Sequence, residues 1–535
     1  ASRFLLERVV MHLSESIRLF HAFKNSMDNM SVRNSIELAN ELLSTESIDI
    51  QQVINEYFGY FPLTIKSLDE IENDEPLIRR LGLNIDYLKS NFIDEWDQEH
   101  AMSNNSFLID RYQYRFPKKQ GSPPLYNTYI YAALERGVVS AVCPFSGQVL
   151  ETSTSFPMFI EKKWTHIIFY QIKGKDSFYV GTAGYPSLKG FVYLPQHNLV
   201  IGSPTFFQLG YTKDHLYFAI AELYRKFLIF TEETVSYLQN PKRNLALIYG
   251  LQTNLGHFLT NEYSGFHRII MTGLYRKVKN IVLYKNQKIR LEQVFTEFTK
   301  STYYHCNSED QLFETCITQG LFVLYPCASH LSAEAAFHVQ QTAHNYGSDS
   351  QKRQIADCVA DPLIFVNLRK HNKAWQEQVD GIINLARALK QSYPHVGVFL
   401  DGLSDCQEDA ELISHSLQGD VAVYTGVDIS LLDTICWACR ADAYICVIGS
   451  GLVLLTCIAN KPGIVHSEYV HMGQVLPGGY WSGLRNDILT PILVSWDEVS
   501  VLKEESRHLP AMYANYSMDW QSLYRRLIKI LYPPA

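Results

Sequence analysis

The sequence predicts an α/β protein: two Rossmann-like domains preceded by a helical segment and a strand-rich module. Three observations predict it. From Asn244 onward, short apolar runs alternate with amphipathic helical stretches. Between Pro362 and His466 this alternation gives five strands and four intervening helices, the pattern of an open doubly wound sheet. Before residue 244 the patterning differs, with helical periodicity first and then aromatic and β-branched runs punctuated by glycine and proline.

A chain of 535 residues exceeds one ordinary hydrophobic core, so two to four domains are expected. A 47% hydrophobic content with a net charge of only -8 excludes disorder. The basic residues are scattered, which excludes a nucleic-acid footprint; the mixed run from Arg276 to Arg290 reads as a solvated face around a strand. The ten cysteines do not form a disulfide scaffold, and Cys436, Cys439, Cys446 and Cys457 lie in apolar segments. Cys436-x-x-Cys439 falls late in the helix TICWACRADA, whereas a redox pair belongs at a helix start. Cys306 and Cys316 lack a compact ligand spacing, so no metal site is expected. No secretory signal is read at the start, and the longest apolar stretch, Ala443 to Ala459, is short and broken by Gly449, Ser450 and Gly451. The expected location is cytoplasmic, with peripheral membrane association left open. Oligomeric state is not legible.

The elements follow in order. Residues 1–105 read as helices, including SIELANELLS, QQVINEYFGYF and EPLIRRLGLNIDYLKSNF, with a linker or capped turn near 26–35. A polar stretch from Pro117 to Pro124 marks a boundary. The module from 106 to 243 contains antiparallel-type strands such as HIIFYQI, SFYVGTAG and GFVYLP, a turn at Cys143–Gly147, and a helix from Tyr217 to Leu238. The first Rossmann-like domain spans 244–361. It has strands NLALIYG, KNIVLY and GLFVLYP, and helices at Phe258–Leu274, Leu291–Phe298 and Ser332–His344. The second spans 362–515, and its strands are PLIFVNLR, HVGVFLDG, DVAVYTG, DAYICVIG and PGIVH. Helices at Ala374–Ser392, Glu408–Leu417, Ile429–Arg440 and Leu452–Ala459 separate them. Residues 516–535 supply a last amphipathic helix from Trp520 to Leu531.

In an open α/β sheet, ligands bind beyond the carboxyl ends of the strands. Gly449-Ser450-Gly451 follows DAYICVIG and leads into a helix, where glycines admit a ligand to the backbone and free amides attract phosphate oxygens. The alternative is a tight turn. Neither a dinucleotide fingerprint nor a P-loop is present. Arg369 closes PLIFVNLR and suits either a diphosphate or a surface salt bridge. Asp401 closes HVGVFLDG, as a sugar or ribose contact or as a turn cap. Thr425 and Gly426 close DVAVYTG, where backbone groups can line a base pocket. Lys461, in N-K-P-G, is either a phosphate contact or part of a helix stop, and His466 closes PGIVH at its carboxyl end. After NLALIYG, the loop G-L-Q-T-N-L-G-H gathers Asn254 and His257, with Asn261 and Glu262 in the following turns. His257 and Asn261 are four apart and share a helix face. These groups form either a catalytic cluster or a capped helix start.

The strand and loop V-I-G-S-G-L at Val447–Leu452, with N-K-P-G-I-V-H at Asn460–His466, resembles the phosphate loop of GT-B glycosyltransferases. The resemblance covers Asn244 to Ala535. It implies two facing Rossmann-like domains, the second holding a nucleoside diphosphate sugar and the first an acceptor: a glycan, a lipid-linked group or a protein. It also implies a last helix crossing toward the other domain and a base at His257; Glu262 or the Asn254 amide orients that base, and Glu262 is the alternative base. No carboxylate lies between Gly451 and Ile464, which departs from the E-x-x-x-x-x-x-E of retaining members and favours inversion. The implied activity is metal-free transfer of a sugar to a hydroxyl, with no cofactor beyond the donor. A sugar-nucleotide epimerase and a non-catalytic sugar- or nucleotide-binding protein of the same fold remain as alternatives.

Overall fold

The computed structural model describes residues 2–29, 32–44, 49–92, 128–160, 165–183, 188–208, 210–328, 330–475, 484–485, 487–502 and 513–532. The boundary stretch Pro117–Pro124 lies outside the described residues. Two compact units form. The first comprises Ala1–Thr253, Gly265–Gln287 and Glu297–Ala328, and the second Asn254–Ser264, Lys288–Thr296 and Ser329–Ala535. Segments of residues 244–361 therefore fall in both units.

In the first unit, helices Ser2–Asp28, Val32–Leu43 and Ile50–Tyr60 come first, the last begun by Asp49, whose carboxylate accepts from Gln51 N at 2.9 Å. The helical region also holds a strand. β1 (Thr64–Ser67) pairs in parallel with β8 and so joins the helical start of the chain to the sheet that follows. Strands β2 (Val139–Val142) and β3 (Val149–Thr152) form a hairpin, turned at Gly147 with a φ of 73°. Next come β4 (Ser155–Ile160), β5 (Thr165–Ile172), β6 (Phe178–Ala183), β7 (Leu188–Leu194) and β8 (Leu199–Gly202). The sheet order is β1-β8-β7-β6-β5-β4, antiparallel apart from β1 with β8. Both faces are covered, which explains its nearly unbroken apolar strands. Tyr179, Phe191, Tyr193 and Val200 face one core, and Phe178, Val180, Val192 and Ile201 the other. The expected helix from Tyr217 to Leu238 is two helices, Lys213–Ile229 and Thr231–Gln239.

A second sheet of this unit contains β9 (Asn244–Tyr249), β10 (Asn280–Tyr284), β11 (Thr302–Cys306) and β12 (Leu321–Leu324), all parallel, in the order β11-β10-β9-β12. Strand β11, TYYHC, is only half-buried and gives no apolar run in the sequence. The outer edge of β12 is closed by side chains. Val323 N donates to Ser155 Oγ at 2.8 Å, Tyr237 Oη donates to Leu321 O at 2.8 Å, and Tyr170 Oη to Val323 O at 3.2 Å.

The second unit holds β13 (Leu363–Asn367), β14 (Gly397–Gly402), β15 (Ala422–Val427), β16 (Ala443–Val447), β17 (Gly463–His466) and β18 (Ile492–Leu493). All pair in parallel in the order β15-β14-β13-β16-β17-β18. This is the 3-2-1-4-5-6 order of a Rossmann sheet, and the strand order reverses between β13 and β16. A short antiparallel pair, β19 (Val499–Val501) and β20 (Tyr516–Met518), packs beside it. The helix Gln378–Ser392 buries Ile382, Ile383, Leu385, Ala386 and Leu389, as its periodicity predicts. The final helix Trp520–Leu531 belongs to the second unit. It buries Leu523 and Leu527 in the core of its own unit, against Gln378–Ser392 and β17. No helix among the described residues is long and apolar enough to cross a membrane.

Two expected helices begin irregularly. Phe258–Leu274 starts with a π-helical stretch, Phe258–Tyr263, before the α-helix Ser264–Thr272. The segment after Gly451 is likewise π-helical over Leu454–Ile458. Both stretches belong to the second unit, and π turns inside helices recur at functional sites.

Candidate anion-binding site

The crevice at the β13/β16 reversal is built from both sides. Asn367 ends β13, and Arg369 follows two residues later. Its backbone is fixed by Gln378, which accepts from Arg369 N at 3.1 Å and donates to Arg369 O at 2.8 Å. The guanidinium makes no ion pair among the described residues and lies over the loop opposite; a methyl group on Gly449 would stand 3.0 Å from its Nη2.

On the other side, β16 runs into Gly449-Ser450-Gly451. The next amides are committed: Leu452 N donates to Gly449 O at 3.0 Å, Val453 N to Ser450 O at 3.3 Å and Leu454 N to Gly451 O at 3.1 Å. The amides of Gly449, Ser450 and Gly451 and the Ser450 hydroxyl have no partner among the described residues. Three consecutive free N–H groups beside an unpaired guanidinium are a binding arrangement for an oxyanion. Asn367 lies beneath the loop, its Nδ2 3.5 Å from where a methyl on Gly451 would sit. That amide donates to Asp401 Oδ2 at 2.8 Å. Burial pushes the Asp401 carboxyl up to about 6, although Asn367 and the Gly402 amide pull the other way.

The His257 turn joins this loop within the second unit. Methyl growth on Gly256 would come within 3.5 Å of Ser450 Cα and 3.4 Å of Val453 Cγ2. Asn254 does not orient His257. Its Oδ1 caps the helix start, accepting from Gly256 N at 2.8 Å and His257 N at 3.2 Å. Asn261 takes the orienting place instead, with Oδ1 3.0 Å from His257 Nδ1, which puts the proton on Nδ1 and the lone pair on Nε2. Burial lowers the His257 pKa, so the ring is neutral at neutral pH. Glu262 is completely buried on the π-helical stretch, out of reach of a solvent-borne hydroxyl, which removes it as the substitute base.

The other expected residues lie elsewhere. Thr425 is exposed on the outer strand β15. Gly426 makes room for Phe399, whose ring would stand 2.1 Å from a methyl there, so its role is packing. Lys461 precedes β17 at the amino end of the sheet, a strand length of about 13 Å from the carboxyl-end crevice. It therefore does not reach the loop. His466 ends β17 at the expected edge but is enclosed, with Nδ1 2.7 Å from Tyr516 Oη, and burial drives its pKa down to about 3. It is a neutral core histidine rather than a ligand contact.

Sequence reasoning missed Lys373, Glu468 and His471. Lys373 closes the polar run R-K-H-N-K after β13, and Glu468-x-x-His471 follows β17. Both positions lie beyond strand carboxyl ends, and that was the available signal.

No family model matches the chain, and no curated protein matches it in sequence. Among solved structures, a glycosyl transferase family 9 protein from Veillonella parvula is similar at 8% identity and a TM-score of 0.32, covering 54% of this chain and 97% of that one. A UDP-GlcNAc 2-epimerase from Methanocaldococcus jannaschii, solved with UDP-GlcNAc and UDP, is similar at 8% identity and a TM-score of 0.29, over 54% and 93% of the two chains. The E. coli heptosyltransferase WaaC with ADP follows at 9% identity and 0.27, over 48% and 94%. At these scores the likeness carries no argument about activity.

Proposed function

We propose that the protein transfers a sugar from a nucleoside diphosphate sugar to an acceptor hydroxyl, with inversion. One observation carries the reading: the Arg369 guanidinium over three free amides at the reversal of a Rossmann sheet. A diphosphate is the anion that such a crevice suits, with charge-assisted bonds from the guanidinium and amide bonds from the loop. These same groups would stabilise the charge that develops as the nucleoside diphosphate departs. His257 supports the transfer step. Its turn abuts the loop, and a neutral imidazole is the form that can take a proton from an attacking hydroxyl. The acceptor is a glycan, a lipid-linked group or a protein.

Calorimetric titration with uridine, guanosine and adenosine diphosphate sugars tests the reading, and binding of none would end it. With a donor in hand, His257→Ala should lower turnover by about a hundredfold or more while donor affinity changes little. Turnover at the wild-type rate would remove His257 as the base. Donor binding with no turnover on any acceptor would favour the non-catalytic alternative, and release of an epimerised sugar would favour the epimerase.

A further inference from the structure

Behind the loop lies a group of buried ionisable side chains that the proposed transfer does not use. Lys373 has a φ of 51° and is 7% exposed. Its Nζ is 3.1 Å from His471 Nε2 and 3.5 Å from Ile448 O, and it sits 5.4 Å from the centre of the Tyr513 ring. His471 Nδ1 meets Glu468 Oε1. The other carboxylate oxygen accepts from Val470 N at 2.5 Å and from His471 N at 3.2 Å. With Nδ1–H donated to Glu468, the imidazole turns a lone pair toward the ammonium, which has hydrogens to give. Ile448 is the residue before Gly449, so Lys373 touches the peptide that leads into the three free amides.

We infer that Lys373, His471 and Glu468 form a protonation relay behind the Gly449–Gly451 loop, supporting it through the Ile448 carbonyl and making its anion affinity depend on the Lys373 proton. The inference rests on the loop's being the diphosphate site. Among the described residues, the charged and titratable groups facing Lys373 are Arg369 after β13, Glu468 and His471 after β17, and Tyr513 before β20. Burial and then Arg369 push Lys373 down to about 8, against the pull of Glu468. An anion at the loop favours the ammonium, so affinity is full below that pH and falls above it. Glu468 and His471 act through Lys373 and are positioning residues.

The test is calorimetric titration of the full chain from pH 6 to 9.5 with nucleoside diphosphate sugars and, separately, pyrophosphate. Lys373→Arg keeps its charge at every pH and cancels any titration of the ligand itself. Wild-type affinity should fall about fivefold to tenfold between pH 7 and 9.5, and Lys373→Arg should show no such extra fall. His471→Gln should move the midpoint to lower pH, because the ammonium then loses its Glu468-braced partner. The same fall in Lys373→Arg as in wild type, or an unmoved midpoint in His471→Gln, would overturn the relay. Nucleotide sugars that bind without pH dependence would sink the relay and leave the proposed function standing. Lys373-dependent binding of pyrophosphate alone would do the reverse, and no anion binding at all would remove both.

Discussion

Lys24 and Lys373 are both almost wholly buried, one in each unit, yet their partners differ in kind. Lys24 pairs with buried Asp28 at 2.9 Å, donates to Pro195 O at 3.0 Å and lies over the rings of Tyr193 and Tyr224. Asp28 also accepts from Tyr224 Oη at 2.6 Å, which in turn lies 3.1 Å from Tyr193 Oη. Burial pushes the Asp28 carboxyl up, but the ammonium and the phenol oppose it. This cluster is closed on itself and joins the first helix to a sheet strand and to the helix Lys213–Ile229. Both touch a backbone carbonyl, but Lys373 has an imidazole where Lys24 has a carboxylate, and a second cation, Arg369, nearby. A buried lysine with its own carboxylate is a structural joint. One held next to another cation, below a loop of free amides, is set to answer an incoming negative charge.

Three substitutions can break or sharpen this contrast. The largest effect is expected from Lys24→Met, which leaves Asp28 buried without its counter-charge and should cost about 3–5 kcal/mol of stability. Chemical denaturation would measure it, and a loss below about 1 kcal/mol would mean that the pair is not the joint described. Next, Arg369→Ala should weaken nucleotide-sugar binding by about 1.5–3 kcal/mol, the range of a hydrogen bond to a charged group, with little change in unfolding. Calorimetry beside a melting curve separates the two, and lost stability with unchanged affinity would make Arg369 structural, like Lys24. The smallest effect concerns Asp401, whose folded value of about 6 stands above the ordinary 3.8. Between those values the folded chain binds more protons than the unfolded one, so stability falls as pH rises and the penalty is complete above about 6. Asp401→Asn retains an acceptor for Asn367 and removes the charge. It should stabilise by about 1–2 kcal/mol at pH 7 and by almost nothing at pH 4. Equal gains at both pH values would contradict burial of the charge as the cause.

The α/β class was legible because its signals are local. Apolar strand runs and the helix Gln378–Ser392 follow from side-chain periodicity, and the glycines of the 449–451 loop advertise themselves. Arg369 was found because a strand end is visible in sequence. Its counterpart Lys373 lies only four residues on, but its significance depends on His471, ninety-eight residues away, and no pattern along the chain announces that pairing. Lys461 stands before its strand, so the carboxyl-end rule itself places it away from the crevice, whereas His466 misled because a place at a strand's carboxyl end does not say whether the side chain is enclosed. Strand β11 escaped because its exposed positions dilute the apolar signal. The place of β1 escaped because a four-residue strand among helices has no periodicity of its own.

The side chains of Ser155, Tyr170 and Tyr237 that close the edge of β12 bear on how the molecule can be divided. A Rossmann-like region beginning at Asn244 looks like a natural module, ready to be cut out and expressed. Removing the residues before it would strip that guard and leave Leu321 O, Val323 N and Val323 O as a ready template for another strand. Ser155, Tyr170 and Tyr237 thus act as a built-in guard on the sheet that follows, and the excised half is expected to pair with itself through the bared edge.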